Sequence, residues 1–375
     1  ASFPQAWKKH LADGIRKNVR IPVIATNNIK DPEVAEQLLA DGVCDFVALG
    51  RAHLADPAWA NKAREGRSDE INRCIGCLYC FTALADGGHI KCAVNPRCGR
   101  EVEFSRIASD GNGRKVVIVG GGPAGMEAAL ELRERGFRPV ILEAAGELGG
   151  QLNVADKPIL KEKLAAYKKS LITRVEKAGI EVRLHTKADP EMVKAMDPYR
   201  VMLAAGGSPV IPPLPGIDCA SVMTAEDVLL GRRKPVGRIV VIGGGITGME
   251  TAETVAAGGS RVTLVEMLGE IGRGLYRSVL ADYMLRFGKM GIEVRTNSRL
   301  LQVSDQSVLL QDTVTAQVAP LAADTVILAI GVAPHKGLRE AFESAFDDVI
   351  VIGDADFSGR IAEATYTGFS RASVL

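Results

Sequence analysis

Two periods of hydrophobic and polar positions alternate along the chain. Residues 21–25, Ile-Pro-Val-Ile-Ala, read as a short buried strand, and residues 44–49 as a second. Between them the spacing predicts a helix over 31–39, with Asp31 as N-cap and Pro32 at the first helical position. After Gly50-Arg51 another helix is predicted to begin near Asp56-Pro57. Strand–helix–strand–helix with short connections predicts parallel pairing.

From residue 115 onward one pattern occurs twice. An apolar run over 115–119 leads into Gly120-Gly-Gly-Pro-Ala-Gly125, a helical stretch to about Arg135 and a strand over 140–143. A second run over 238–242 leads into Gly243-Gly-Gly-Ile-Thr-Gly248, a helix to about Ala257 and a strand over 262–266. Residues 199–207 and 323–331 echo each other as a late strand of each copy. Such a repeat predicts two domains of one fold. Upstream, residues 73–100 read as a cysteine-bearing loop, and Ser109-Asp-Gly-Asn-Gly-Arg114 as a polar linker.

With 375 residues there is room for two or three domains. The 47% hydrophobic and 24% charged balance is that of an ordinary globular chain. A net charge of +1 points away from a nucleic-acid partner. No apolar run reaches the roughly 18–20 residues that span a bilayer, so no membrane partner is expected.

Each glycine run sits between a predicted strand and a predicted helix, the context in which GxGxxG binds a dinucleotide. The first glycine makes the turn, the second admits the pyrophosphate, and the third lets helix and strand pack closely. Gly120, Gly122 and Gly125 fill these places in the first copy, with Ala124 beside the third, and Gly243, Gly245 and Gly248 in the second. About 20 residues on, Glu143 and Glu266 are placed to meet the adenosine ribose hydroxyls. A second glycine turn at Gly150-Gln151 and an aspartate ending a strand, Asp354, resemble the FAD domain of two-dinucleotide reductases. The first copy is therefore expected to take FAD and the second NAD(P). Glu266 would repel a 2′-phosphate, which favours NADH over NADPH; Arg273 is the nearest following arginine.

Five of the seven cysteines lie within residues 74–98. The spacing Cys74-x2-Cys77-x2-Cys80-x11-Cys92 suits a 4Fe–4S cluster, with zinc and reduced structural thiols as the alternatives. Cys98 is a spare. Clustered thiols without a secretory pattern predict a reducing compartment, the cytoplasm.

The order of these motifs resembles the bacterial 2,4-dienoyl-CoA reductase and 2-enoate reductase family, related to the Old Yellow Enzymes. The resemblance is carried by Ile24-Ala-Thr-Asn-Asn-Ile-Lys-Asp-Pro-Glu-Val-Ala, Asp69-Glu-Ile-Asn-Arg-Cys-Ile-Gly-Cys77 and Cys92-Ala-Val-Asn-Pro-Arg97. It implies an α/β architecture: the last βα units of an FMN-binding (β/α)8 barrel over 1–72 and an iron–sulfur segment over 73–104. An FAD domain over 115–234 plus 332–375 and an inserted NAD(P) domain over 235–331 complete it. Gly50-Arg51 resembles the family's FMN-phosphate contact, in a site that this chain supplies only in part. Asn28 stands where the family commonly has arginine. The family's proton-donating residues have no counterpart here, so no catalytic acid is assigned. His10, His53, His89, His185 and His335 are expected at surfaces or in loops.

The resemblance implies electron flow from NAD(P)H to FAD, to the cluster, to FMN, and on to an activated C=C bond of a small-molecule substrate. Two other readings are an amine dehydrogenase-like enzyme and a separate electron-transfer subunit that docks on a barrel protein. A further possibility is that the chain is part of a longer polypeptide with the barrel in frame upstream, in place of a separate subunit; a homo-oligomer is compatible with each reading.

Overall fold

The computed structural model describes residues 3–375. The chain divides into two compact units. Of the described residues, one comprises those up to 149, 162–202 and 360–375; the other comprises 150–161 and 203–359.

In the first unit, Lys115–Val119 pairs parallel with Arg138–Leu142, and that strand pairs parallel with Glu181–Arg183. Arg200–Leu203 lies on the other side of Lys115–Val119. The central strands are apolar and buried on both faces, as a parallel sheet covered by helices requires. Helix Pro123–Glu134 follows the first glycine loop and packs against the C-terminal helix Ile361–Ala372. The approach needs Gly368, because a Cβ there would lie 2.3 Å from the Ala124 carbonyl oxygen.

The second unit repeats this order. Its strands run Glu293–Arg295, Arg261–Val265, Arg238–Ile242, Thr325–Leu328 and Val222–Thr224, all parallel. Alternate residues feed two cores: Ile239 and Val241 face Met249, Leu264 and Phe287, while Val240 and Ile242 face Val265, Leu310 and Val326. A three-stranded antiparallel sheet, Ser298–Ser304, Ser307–Asp312 and Val318–Ala322, contributes to the second of these cores. It was not foreseen from sequence.

Both repeats fall where the hydrophobic pattern puts them, with helices Pro123–Glu134 and Ile246–Ala257 after the two glycine runs. The N-terminal strands are shorter than expected. Ile24–Ala25 pairs parallel with Phe46–Val47, two residues each. Burial alternates instead of being continuous: Val23, Ala25 and Cys44 are buried, but Ile21, Ile24 and Phe46 are 69%, 58% and 58% exposed. The helix foreseen over 31–39 is Pro32–Ala40, and the one foreseen near Asp56 is Trp59–Arg64, preceded by a short helix, Arg51–Ala55. Asp31 occupies the N-cap, but its carboxylate caps no helix N–H; it meets the Arg73 guanidinium and the Gln5 amide. The cysteine segment is not all loop, since Tyr79–Ala85 is helical. Among the described residues no helix is long and apolar enough to cross a membrane.

Candidate dinucleotide sites and cysteine loop

The two glycine loops have the same internal geometry. Gly120 and Gly243 take φ of +113° and +110°, which glycine adopts without strain. A Cβ on Gly125 would lie 2.1 Å from the Gly120 carbonyl oxygen, and one on Gly248 would lie 1.8 Å from that of Gly243. Both glycines are therefore required for the helix to start against the strand. Gly122 and Gly245 are the N-caps of the two helices, and neither offers a side-chain cap. The first-turn N–H groups are thus left for an anion, and the space around Gly245 is open.

The acidic residues close the loops. The Glu143 carboxylate accepts the Gly121 N–H at 2.7 Å and the Ala145 N–H at 2.7 Å. Glu266 accepts the Gly244 N–H at 2.6 Å and the Leu268 N–H at 2.8 Å. Each glutamate also donates its own backbone N–H to an arginine carbonyl on the next strand, Arg183 or Arg295. Those strands share the sequence Gly-Ile-Glu-Val-Arg, at 179–183 and 291–295. This extension of the repeat was overlooked in the sequence, though it is visible there.

The other residues expected at FAD are local turn residues. Gly149 and Gly150 have φ of +128° and +51°, and Gln151 starts the short helix Leu152–Ala155. Asp354 follows strand Val349–Val351 and accepts the Gly359 N–H at 2.9 Å. Gly120, Gly122, Ala124, Gly125 and Glu143 belong to the first unit, and Gly150, Gln151 and Asp354 to the second.

The cysteine loop is held by side chains distant in sequence. Asn72 donates its amide to the carbonyls of Ala55 and Val94, so it ties both arms of the loop together. Lys30, only 5% exposed, donates to the Cys74 carbonyl at 2.8 Å. Thr365 donates from the C-terminal helix to the Ala93 carbonyl at 2.8 Å. Gly76 and Leu78 both take positive φ, of +71° and +60°, and fold the chain back between Cys74 and Cys80.

Cys74 lies within electrostatic reach of Cys77, Cys80 and Cys92. Burial raises the pKa of the Cys80 and Cys92 thiols, and the nearby Cys74 adds to it. Packing pushes Cys77 up to about 11, although that residue keeps an exposed surface. Thiolates this close oppose one another's charge, and a bound cation is what would let four coexist. Cys98 is 1% exposed and reaches Cys80 and Cys92. Among the described residues, no three His, Cys, Asp or Glu side chains are grouped to hold a single metal ion.

At the N-terminal element, Gly50 precedes helix Arg51–Ala55, and Arg51 lies within electrostatic reach of Lys30 and Cys80. The Asn28 amide is spent on the Phe3 and Pro4 carbonyls. Of the five histidines, His10, His89, His185 and His335 are exposed and His53 is half-buried.

Comparison with known proteins agrees with this geometry. Residues 114–354 match the model of the pyridine nucleotide-disulphide oxidoreductases. The chain belongs to that family. Residues 2–70 match the NADH:flavin oxidoreductase / NADH oxidase family, so the chain corresponds to the C-terminal part of the dienoyl-CoA and enoate reductase-like flavoproteins. It is 40% identical to an NADH oxidase of Thermoanaerobacter brockii over 99% of its own length and 58% of that protein. It is 35% identical to a bilirubin reductase of Mediterraneibacter gnavus, again over 99% and 58%. A solved 2-naphthoyl-CoA reductase, in complex with 2-naphthoyl-CoA, superposes with a TM-score of 0.95 at 29% identity, over 100% of this chain and 57% of that one. The chain thus spans less than two thirds of these relatives. Membership in this family of oxidoreductases brings flavin and pyridine nucleotide binding.

Proposed function

We propose that this chain is the electron-input part of an enzyme that uses NAD(P)H to reduce an activated C=C bond. Bound here, NAD(P)H would supply hydride, FAD would accept it, and a 4Fe–4S cluster would supply one-electron transfer toward FMN. The observation that carries the reading is the pair of glycine loops, each closed by its own glutamate, directly after a four-cysteine loop.

The residues divide the work by position. Helix N-termini at Gly122 and Gly245 face the pyrophosphates, and Glu143 and Glu266 face the adenosine riboses. Gly150, Gln151 and Asp354 are assigned to the remainder of FAD. Cys74, Cys77, Cys80 and Cys92 are assigned to the cluster, and Gly50 with Arg51 to an FMN phosphate. What supports the cluster assignment is that Cys74 is near enough to Cys77, Cys80 and Cys92 to act on them electrostatically, with positive-φ turns at Gly76 and Leu78 between Cys74 and Cys80. The similar proteins named bilirubin reductase and 2-naphthoyl-CoA reductase are reductases by name, which supports a reductase here. Both glycine loops and both glutamates are intact, which speaks against an outward-running amine dehydrogenase with vestigial nucleotide sites.

Anaerobic purification followed by flavin extraction and iron and sulfide analysis tests this. Alanine at Cys74, Cys77, Cys80 or Cys92 should remove iron and sulfide and spare FAD, while Cys98→Ala should keep both. Zinc in place of iron, or loss of the cluster in Cys98→Ala with retention in Cys80→Ala, would overturn the assignment.

A further inference from the structure

Three neighbouring strands of the first unit end side by side. Lys115–Val119 runs parallel to Arg138–Leu142, and that strand to Glu181–Arg183, at the edge of the sheet. Past the carboxyl end of the first comes the helix N-terminus at Gly122, and past the second comes Glu143. Past the third comes His185, for which the glycine loop alone has no use.

His185 has φ of +51°, in the left-handed region. A side chain other than glycine is strained there, and such strain persists only where the surroundings impose it. Two backbone bonds do so. His185 donates its N–H to the Ala145 carbonyl at 2.9 Å, and Thr186 donates to that of Glu143 at 2.8 Å. The Glu143 N–H in turn meets the Arg183 carbonyl at 2.9 Å, so residues 183–186 run alongside 143–145. The imidazole lies against Gly146: a Cβ there would be 2.7 Å from its Cε1 and 3.0 Å from its Nε2. Any larger residue at 146 would move the ring.

The repeat builds the same turn around a different side chain. Asn297 has φ of +50° and donates its N–H to the Leu268 carbonyl at 2.8 Å, and Ser298 donates to that of Glu266 at 2.9 Å. Its Oδ1 lies 3.4 Å from where a Cβ would stand on Gly269, the counterpart of Gly146. Asparagine therefore suffices for the turn, and the turn by itself does not call for a ring.

The order along the strand ends is the order along a dinucleotide. Phosphates suit the helix N-terminus, ribose hydroxyls suit the carboxylate, and the base follows the ribose. Neighbouring strands lie about 4.8 Å apart, so His185 stands one such step beyond Glu143, on the side away from Gly122.

We propose that His185 is a binding residue of the first dinucleotide site, its imidazole stacking on the adenine of FAD, and that Asn297 leaves the adenine of the nicotinamide nucleotide without a ring to stack on. The inference rests on the reading that gives FAD to the first copy. A flavin that stays bound gains from the added contact. A nucleotide that must leave after each hydride transfer is better served without it. Losing one base–aromatic stack weakens binding by about tenfold.

The test compares wild type with His185→Asn, which copies the turn of the second unit, and His185→Gly, which relieves its strain. Release of FAD from the holo chain on dilution, followed by flavin fluorescence, gives the affinity. Both variants should hold FAD about tenfold more weakly, a loss that strain cannot explain because glycine removes it. Their affinity for NAD+ in FAD-saturated protein should be unchanged. Asn297→His should do the converse, binding NAD+ about tenfold more tightly with FAD release as in wild type. FAD held as tightly as in wild type by either His185 variant, or NAD+ bound no more tightly by Asn297→His, overturns the proposal. Wild type that binds no FAD removes the reading of the first copy itself, and this inference with it.

Discussion

The Glu266 carboxylate accepts the backbone N–H of Gly244 at 2.6 Å. A second backbone bond, from Leu268 at 2.8 Å, fixes the carboxylate in place at the end of its strand. An adenosine ribose with free hydroxyls can donate to such a group, whereas a 2′-phosphate dianion is repelled by it. NADH should therefore reduce the bound flavin faster than NADPH. Glu266→Gln should narrow the preference by about tenfold, the scale of one hydrogen bond to a charged group. Stopped-flow bleaching with each nucleotide measures this, and faster reduction by NADPH would refute the role given to Glu266.

The two glycine loops should be separable by mutation. A methyl group at Gly248 would overlap the Gly243 carbonyl oxygen, and one at Gly125 that of Gly120. Backbone cannot yield as a side chain does. Gly248→Ala is expected to abolish reduction by NADH while FAD stays bound, and Gly125→Ala to lose FAD. Flavin content and nucleotide-driven bleaching of the two variants check the assignment of FAD to the first copy.

What sequence could and could not show follows from the range of the interactions. The strand–glycine–helix units and the acidic residue ending the next strand are local, so Gly120, Gly243, Glu143 and Glu266 were placed by spacing alone. The repeated Gly-Ile-Glu-Val-Arg was equally local and simply went unread. By contrast, Lys30 reaches Cys74 and Thr365 reaches Ala93. These partners are far apart in sequence, and no periodicity announces them. The N-terminal strands misled for a different reason. Their apolar runs suggested burial on both faces, but only one face is covered within this chain.

That uncovered face predicts self-association. Ile21, Ile24 and Phe46 are exposed beside a two-stranded parallel pair, and open strands with apolar side chains invite pairing between chains. Ile24→Ser combined with Phe46→Ser should reduce concentration-dependent light scattering while FAD content is unchanged. Equal scattering by variant and wild type would show that this face is not the source.

Acid should weaken the second unit through Asp324. The Arg238 side chain and backbone N–H hold its carboxyl down to about 2. Its unfolded value is near 3.9. A lowered folded pKa contributes stability that is present above about pH 4 and is lost as pH falls toward about 2. The difference in unfolding midpoint between wild type and Asp324→Asn should be largest above pH ~4 and shrink through that window. A difference that stays constant down to pH ~2 would show that the pair does not act through this ionisation.

The most direct test of the whole account is to add NADH anaerobically to iron-loaded chain and follow flavin absorbance and EPR together. Flavin bleaching followed by the signal of a reduced 4Fe–4S cluster is expected, with the signal absent in Cys74→Ala while bleaching persists. Flavin that bleaches fully beside iron that never becomes EPR-active, or a wild-type chain without iron, would contradict it.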